Sequence, residues 1–198
     1  DLRIRDLELM AGEGTSETVH KEFGARMHTD PAKVYFNPRL AGERHRIASM
    51  VRDGEVVMDM FGGVAPFGIQ ICRFANPKVA YSIDLNPEAE RFALINRDDN
   101  HAEQLVPITG DATVVAPTLP SADRIIMNLP QIADRFLPLA LDRLNHGGTV
   151  HMYKIIERED FPKLCEEMGA MAAENGHTIE IETVSYTHLR AHETTLHL

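Results

Sequence analysis

The stretch "VVMDMFGGVAPFGIQ", Val56 to Gln70, decides the fold class. Val56–Asp59 is a short apolar run closing on an acid, the pattern of a buried strand. Gly62 and Gly63 allow a tight turn, because glycine accepts backbone angles that other residues avoid. Pro66 then opens an apolar helix at a position where its missing N–H is no loss. A strand, a glycine turn and a helix start present free N–H groups to a ligand. The spacing Gly63-x-Ala65-x-x-Gly68 only half-matches a dinucleotide fingerprint, since Ala65 stands where a glycine belongs. Taken alone, the loop leaves its cofactor open, and a mere strand-to-helix turn would use the same glycines.

Strands and helices alternate outward from this point. "EVVMD" leads to "PFGIQICRFA", "VAYSID" to "PEAERFALINRDDN", and "LVPIT" to a short helical stretch. "DRIIMN" leads to "QIADRFLPLALDRL", with Pro138 expected to kink that helix, and "GTVHMYKII" to "EDFPKLCEEMGAMAAEN" and a last strand "HTIEIETVSY". Such alternation predicts a mostly parallel sheet with helices on both faces. Ligands of these folds bind beyond the carboxyl ends of the strands. Asp59 ends the first strand. Asp84 ends the second, 21 residues after Gly63, where an acid accepts hydrogen bonds from ribose hydroxyls. Asp111, in "GDA", ends the third and faces an adenine amino group. Asn128, in "NLP", ends the fourth and aims an amide at a flat nitrogenous ring, although an N-cap for the following helix would use the same residue. Polar residues at all four strand ends favour a nucleoside-cofactor methyltransferase.

The chain has 198 residues, 43% of them hydrophobic, enough for one α/β core with a small appended piece. A net charge of -10 argues against a broad nucleic-acid-binding surface, which is usually basic. A local basic run survives at Arg39, Arg44, Arg46 and Arg52; by itself it reads as a solvated helix face. Cys72 and Cys165 form no C-x-x-C pair, so neither a disulfide framework nor a metal site is expected, and a reducing cytosol is. No run approaches the ~20 apolar residues of a membrane span. The chain starts without methionine inside a strand-like pattern, as a piece of a longer protein would. Residues 1–40 read as the end of a small β-rich subdomain, from the extended pieces "LRIRDLEL", "ETVHKEFGARMHT" and "AKVYF". Residues 41–186 form the Rossmann-like domain. Residues 187–198, "HLRAHETTLHL" preceded by Thr187, have no clean period and read as a non-native tail.

Seven markers in order resemble the archaeal and eukaryotic type of tRNA (guanine-N1)-methyltransferase: "HKEFG" at 20, "AKVYFNPRLAGERHRIA" at 32, "DMFGGVAPF" at 59, "IDLNP" at 83, "GDA" at 110, "DRIIMNLP" at 123 and "FLPLALD" at 136. That family methylates the guanosine immediately 3′ of the anticodon. The resemblance runs from about residue 1 to 184 and implies a class I S-adenosylmethionine-dependent fold. It implies S-adenosylmethionine as donor, with Asp59, Phe61 and Gly63 at its methionine and ribose end. Asp84 would take the ribose hydroxyls, Leu85 would lie against the adenine, Asp111 and Ala112 near its amino group, and Tyr35 and Pro130 would flank the donor or the target base. Glu43 matches the proposed general base. Arg3 matches the cation that stabilises charge on guanine O6, with Arg5 one strand register away. Asn128 would hold the base edge or orient Glu43; Arg39 and Arg44 would meet substrate. The implied partner is the anticodon stem-loop of tRNA, with no membrane and no stable protein partner. The family's N-terminal tRNA-gripping domain is absent from this sequence.

Departures from the family pattern fall on the glycine loop. Gly62 replaces a usual alanine, Ala65 a usual glycine, and Asn37 a usual serine. A methyl at 65 is harmless if the backbone angle there is negative and strained if positive. Three other readings share these residues. One is the wyosine-pathway transferase that moves the aminocarboxypropyl group, or a relative methylating a wyosine precursor. Another is a non-catalytic tRNA-binding remnant, and a distant third is an NAD-dependent oxidoreductase.

Overall fold

The computed structural model describes residue 8, residues 14–189 and residues 191–197, with side chains described as far as 182. The chain divides at Val115/Ala116 into two compact units.

The first unit opens with an antiparallel hairpin, β1 (Thr18–Glu22) and β2 (Ala25–Thr29), paired from Thr18↔Thr29 to Glu22↔Ala25. Its two-residue turn places Phe23 at φ +43° and Gly24 at φ +76°. Positive angles at both turn residues match the twist of the strands, and asparagine or glycine usually fills the place that Phe23 takes. "AKVYF" forms no strand. It is a turn: Asp30 caps it by accepting from Ala32 N at 3.0 Å, and its carbonyl accepts from Lys33 N and Val34 N at 2.9 and 2.8 Å. Asn37 then caps a single 3-10 turn, Pro38–Leu40, that runs into α1 (Ala41–Met50).

The rest of the unit is β3 (Val56–Asp59), α2 (Pro66–Phe74), β4 (Val79–Asp84), α3 (Pro87–Asp99), β5 (Leu105–Thr109) and α4 (Ala112–Val115). The strands are parallel in the order β5-β4-β3. The hairpin is fixed to this layer by polar groups on both sides. Buried Arg44 of α1 holds the Glu22 carboxylate through Nε at 2.7 Å and through Nη2. Gln70 of α2 donates to the Glu22 carbonyl at 3.2 Å and carboxylate at 3.1 Å. On the free edge of β2, Asn96 and Asn100, one turn apart on α3, replace a missing strand. Asn100 accepts from Arg26 N at 2.9 Å and donates to Arg26 O at 2.7 Å; Asn96 accepts from His28 N at 2.6 Å and donates to His28 O at 3.1 Å. Side-chain amides thus satisfy an edge that would otherwise expose its ladder groups.

The second unit holds β6 (Ala122–Met127), α5 (Leu137–Asp142), β7 (Leu144–Ile155), α6 (Phe161–Glu174), β8 (Glu182–Leu189) and β9 (Ala191–His197). β6 and β7 are parallel; β9 pairs antiparallel with both β7 and β8. Two expectations change here. Pro138 does not kink a long helix. A 3-10 turn, Ala133–Phe136, comes first, and Pro138 sits in the first turn of a short α5. The last strand starts at Glu182 rather than His177, and residues 191–197 of the expected tail take up strand pairing with β7.

Candidate active site

The glycine loop is built as a brace between two strand ends. Asp59, 2% exposed, accepts from the N–H of Phe61 at 3.1 Å and so turns the chain as β3 ends. Gly62 N donates to Ile83 O of β4 at 2.7 Å, and Ala65 N returns to Gly62 O at 2.9 Å. Gly63 adopts φ +54°, and its N–H donates to Asp84 Oδ2 at 2.8 Å. The other Asp84 oxygen accepts from Asn86 N at 2.9 Å. One carboxylate therefore ties the loop after β3 to the turn after β4, and each oxygen keeps a lone pair for a ligand hydroxyl.

Ala65 is the strained point. It lies at φ +61°, ψ +38°, left-handed, as the residue before α2. This is the unfavourable side of the condition set out from the sequence: the backbone angle is positive. The left-handed region costs an L-residue roughly 1–2 kcal/mol. What holds it there is the bond from Ile69 N to Ala65 O at 2.9 Å and full burial of the methyl.

The third strand end carries Asp111, which is exposed and caps α4 by accepting from Thr113 N at 2.8 Å and Thr113 Oγ1 at 2.7 Å. The Thr113 hydroxyl, then its N–H, hold this carboxyl below the ordinary aspartate range. Ala112 is buried behind it. Leu85, one residue past Asp84, is 60% exposed, an apolar surface with no protein partner to justify its exposure by packing. The segment 31–38 closes over this end of the unit. Asn86 Nδ2 donates to Lys33 O at 2.7 Å, and Tyr35 O lies 3.3 Å from where a Cβ on Gly63 would stand. Among its residues, Val34 packs on Val64, Ala89 and Phe92.

Around α1 the expected residues separate. Glu43, with its side chain 14% exposed, is gripped in two-point fashion by Arg46: Nε to Oε2 at 2.7 Å and Nη2 to Oε1 at 2.6 Å. Arg39 is exposed. Arg44 does not face substrate. It is 1% exposed, bound to Glu22, donates to Asn37 O at 3.0 Å, and lies 5.2 Å over the Phe36 ring. The basic run thus contains one buried structural arginine rather than a uniform solvated face. Asn128 and Pro130 follow β6 in the second unit, Asn128 half-buried and Pro130 buried. Arg3 and Arg5 lie outside the described residues. Neither cysteine is a nucleophile candidate: burial, then Glu103, pushes the Cys72 thiol up to about 12, and burial raises Cys165. Among the described residues no group of three or more His, Cys, Asp or Glu could hold a metal ion, and no helix is long and apolar enough to cross a membrane.

Residues 18–182, which carry both the glycine loop and the acids at the strand ends, match the TRM5/TYW2 methyltransferase domain. The chain belongs to the TRM5/TYW2 family. It is 44% identical over 153 residues to the tRNA (guanine(37)-N(1))-methyltransferase Trm5b of Pyrococcus abyssi, covering 77% of this chain and 45% of that protein. It is 40% identical over 148 residues to the tRNA 4-demethylwyosine(37)-methyltransferase Taw21 of Saccharolobus solfataricus, covering 75% of this chain and 56% of that one. The chain therefore spans about half the length of the curated relatives it matches. The archaeal Trm5 solved with tRNALeu superposes with a TM-score of 0.83 at 37% identity, over 100% of this chain and 56% of that one. Methanocaldococcus jannaschii TYW2, solved with AdoMet, gives 0.85 at 27% identity over 96% and 88%. The TRM5/TYW2 fold is a parallel sheet with flanking helices preceded by a small antiparallel hairpin, which agrees with the fold class read from the sequence.

Proposed function

We propose that this chain is the catalytic part of a tRNA guanosine-37 N1-methyltransferase that uses S-adenosylmethionine, acting in the cytosol on the anticodon stem-loop. The observation that carries the reading is the loop Asp59–Ala65, whose Gly63 N–H is held by Asp84, flanked by Asp111 and exposed Leu85. These residues fit the donor. Two ribose hydroxyls need a carboxylate with spare lone pairs, which Asp84 has. An adenine needs an apolar face and an acceptor for its amino group, which Leu85 and Asp111 offer. Gly63 leaves room where a side chain would press on Tyr35 O. When bound, S-adenosylmethionine supplies a methyl group activated by its sulfonium.

The remaining work falls to the chain's own groups. Guanine N1 bears a proton at neutral pH, and a base must remove it for N1 to act as a nucleophile. Glu43 is the assigned base. Its bond to Arg46 uses one lone pair on each oxygen and leaves the others to accept the N1 proton. Negative charge moves to O6 as the proton leaves, and Arg3 is the assigned cation there. Asn128 is assigned to the base edge, Tyr35 and Pro130 to flanking the donor or base. Exposed Arg39 is assigned to phosphate, a positioning contact.

Incubating the intact protein with unmodified tRNA and donor labelled in either the methyl or the carboxyl group tests the assignment. Methyl label at guanosine 37 is expected. Carboxyl label in tRNA refutes it in favour of aminocarboxypropyl transfer. The 40% identity to Taw21 supports a second reading, methylation of a 4-demethylwyosine substrate, and label appearing only in wyosine-containing tRNA would establish that instead. Glu43→Gln should lower the single-turnover rate by about 10²-fold or more while donor affinity stays within a factor of two; an unchanged rate removes Glu43 as the base.

A further inference from the structure

The end of the hairpin carries a cavity that none of the steps above uses. It measures about 250 Å³ and is lined by Thr18 and His20 of β1, Thr29 of β2, and the 31–38 segment through Pro31, Val34, Tyr35, Phe36 and Pro38. Its lining is mostly apolar and ring-rich. The His20 and Phe36 rings stand 5.3 Å apart at 54°, and Tyr35 is their neighbour. Thr18 and Thr29 are register partners across the open end of the hairpin. Thr29 is 3% exposed, and its hydroxyl has no hydrogen-bond partner among the described residues.

The walls are rigid before any ligand arrives. Phe36 is held under the guanidinium of Arg44, which is itself locked on Glu22, and His20 Nε2 stands 3.4 Å from the same Glu22 carboxylate. Val34 is part of the packed core. Asp30 holds the turn at the base. Its burial works against ionisation, but the Ser16 hydroxyl, the Ala32 N–H and Lys33 outweigh that and keep the carboxyl below its ordinary range. The position is also informative. Tyr35 lines the cavity with its side of the segment while its carbonyl abuts Gly63 of the glycine loop. Whatever enters the cavity therefore sits one backbone segment away from the donor loop.

We infer that this cavity receives one unstacked nucleobase of the RNA substrate, stacked among His20, Tyr35 and Phe36, with the Thr18 and Thr29 hydroxyls at its polar edge. Rings favour a flat aromatic guest, and hydroxyls can both donate to and accept from a base edge. Exposed Arg39, next to Pro38 at the rim, supplies a cation for the phosphate of the same nucleotide. The inference rests on the RNA-methyltransferase reading. The base is either the target guanine or a neighbour, and the same chemistry serves each.

The test uses the intact protein and anticodon stem-loop RNAs that lack a base at the methylated position, one nucleotide before it, or one after it. Thr18→Trp fills the mouth from an exposed position, and Thr29→Val removes the unpartnered hydroxyl with little change of shape. Thr18→Trp is expected to weaken binding of complete RNA about tenfold, the scale of one base-stacking contact, with S-adenosylmethionine affinity and unfolding midpoint unchanged. Thr29→Val is expected to weaken RNA binding a few-fold without loss of stability. One of the three abasic RNAs should lose about tenfold on the native protein and nothing further on Thr18→Trp, which identifies the base. If both variants bind complete RNA like the native protein, or if every abasic RNA loses the same factor on both, the inference is overturned. If the native protein methylates RNA in that case, the enzyme assignment stands without the cavity. If the native protein does not bind RNA at all, both fall together.

Discussion

Gly62 and Ser82 compete for one space, and the competition can be measured. A Cβ on Gly62 would stand 1.9 Å from Ser82 Oγ, 3.1 Å from Ser82 Cβ and 3.3 Å from Ser82 Cα. The hydroxyl can rotate away. The other two atoms cannot, because Ser82 is paired with Asp59 inside the parallel β3–β4 ladder. Overpacking of this kind costs about 1–3 kcal/mol. Gly62 does not occupy the left-handed region, so alanine there also recovers about 0.4–1 kcal/mol by narrowing the unfolded ensemble. The net expectation for Gly62→Ala is a loss of about 1–2 kcal/mol, or a midpoint lower by roughly 2–8 °C for a chain of this size. Ser82→Ala removes a buried hydroxyl that has no hydrogen-bond partner among the described residues, so it should be neutral or slightly stabilising. In the Ser82→Ala background the 1.9 Å contact no longer exists, and the cost of Gly62→Ala should fall to about 0.5 kcal/mol or less. The coupling is then about 1 kcal/mol.

Urea unfolding of the native protein, both single variants and the double variant closes the cycle. A functional readout runs in parallel. Gly62 is anchored to Ile83 O, and the next residue presents its N–H to Asp84, so displacement of the loop should weaken S-adenosylmethionine binding in Gly62→Ala and leave it near native in the double variant. Additivity of the two substitutions within about 0.3 kcal/mol would refute the reasoning, since residues that do not share space do not couple.

Other positions make separate tests. Ala65→Gly relieves roughly 1–2 kcal/mol of left-handed strain but gives up about 0.8 kcal/mol of methyl burial and 0.4–1 kcal/mol of unfolded-state entropy, so thermal unfolding should move by less than about 1 kcal/mol in either direction. Ala65→Val puts a β-branched residue at the same angle and should lose more than about 2 kcal/mol; equal stability of the two variants would show that the angle is not strained. Asn96→Ala strips His28 and Val64 backbone groups of their partners and should cost about 2–4 kcal/mol in denaturant unfolding, with early hydrogen exchange at His28; a loss below about 1 kcal/mol would contradict the edge-replacement role. Asp99 is held below the ordinary aspartate range by the His28 hydrogen bond, then Arg26. Its folded value is depressed, so its contribution to stability is present above the unfolded aspartate value near about 3.9 and is lost as pH falls through the lower folded value. The difference in stability between the native protein and Asp99→Asn should therefore be level at neutral pH and shrink only in that acidic window; a difference that grows with acid has the wrong sign and would reject the assignment.

Asp84 shows how far the sequence carries. Its distance from the glycine loop and its place after an apolar strand mark it as a ligand acid, and the fold puts it at that strand end. What the spacing does not announce is that the same carboxylate braces Gly63 and Asn86. Arg44 shows the opposite case. Within "RLAGERHRIA" it has the same local credentials as Arg39 and Arg46, yet it is buried because Glu22, on a hairpin strand 22 residues earlier, meets it in space. Asn96 and Asn100 read as polar residues near a helix end, and nothing in their own turn says that β2 lies opposite them. Periodicity reports which face of an element is apolar, and turn chemistry reports where elements begin. Both are properties of a few adjacent residues, so strands, α2 and α3 and the acids at strand ends were legible. Polar partners across elements are set by topology, which one sequence encodes only through the fold. Pro138 and "AKVYF" failed for a related reason: each matched a local pattern, a kinked helix and a strand, that the surrounding chain does not complete. The same logic bears on Glu43. Its identity as the base came from resemblance, while its two-point bond to Arg46 came from the structure. A base held this way is oriented before substrate arrives, and it remains capable of proton transfer only because a bidentate guanidinium leaves each carboxylate oxygen one lone pair.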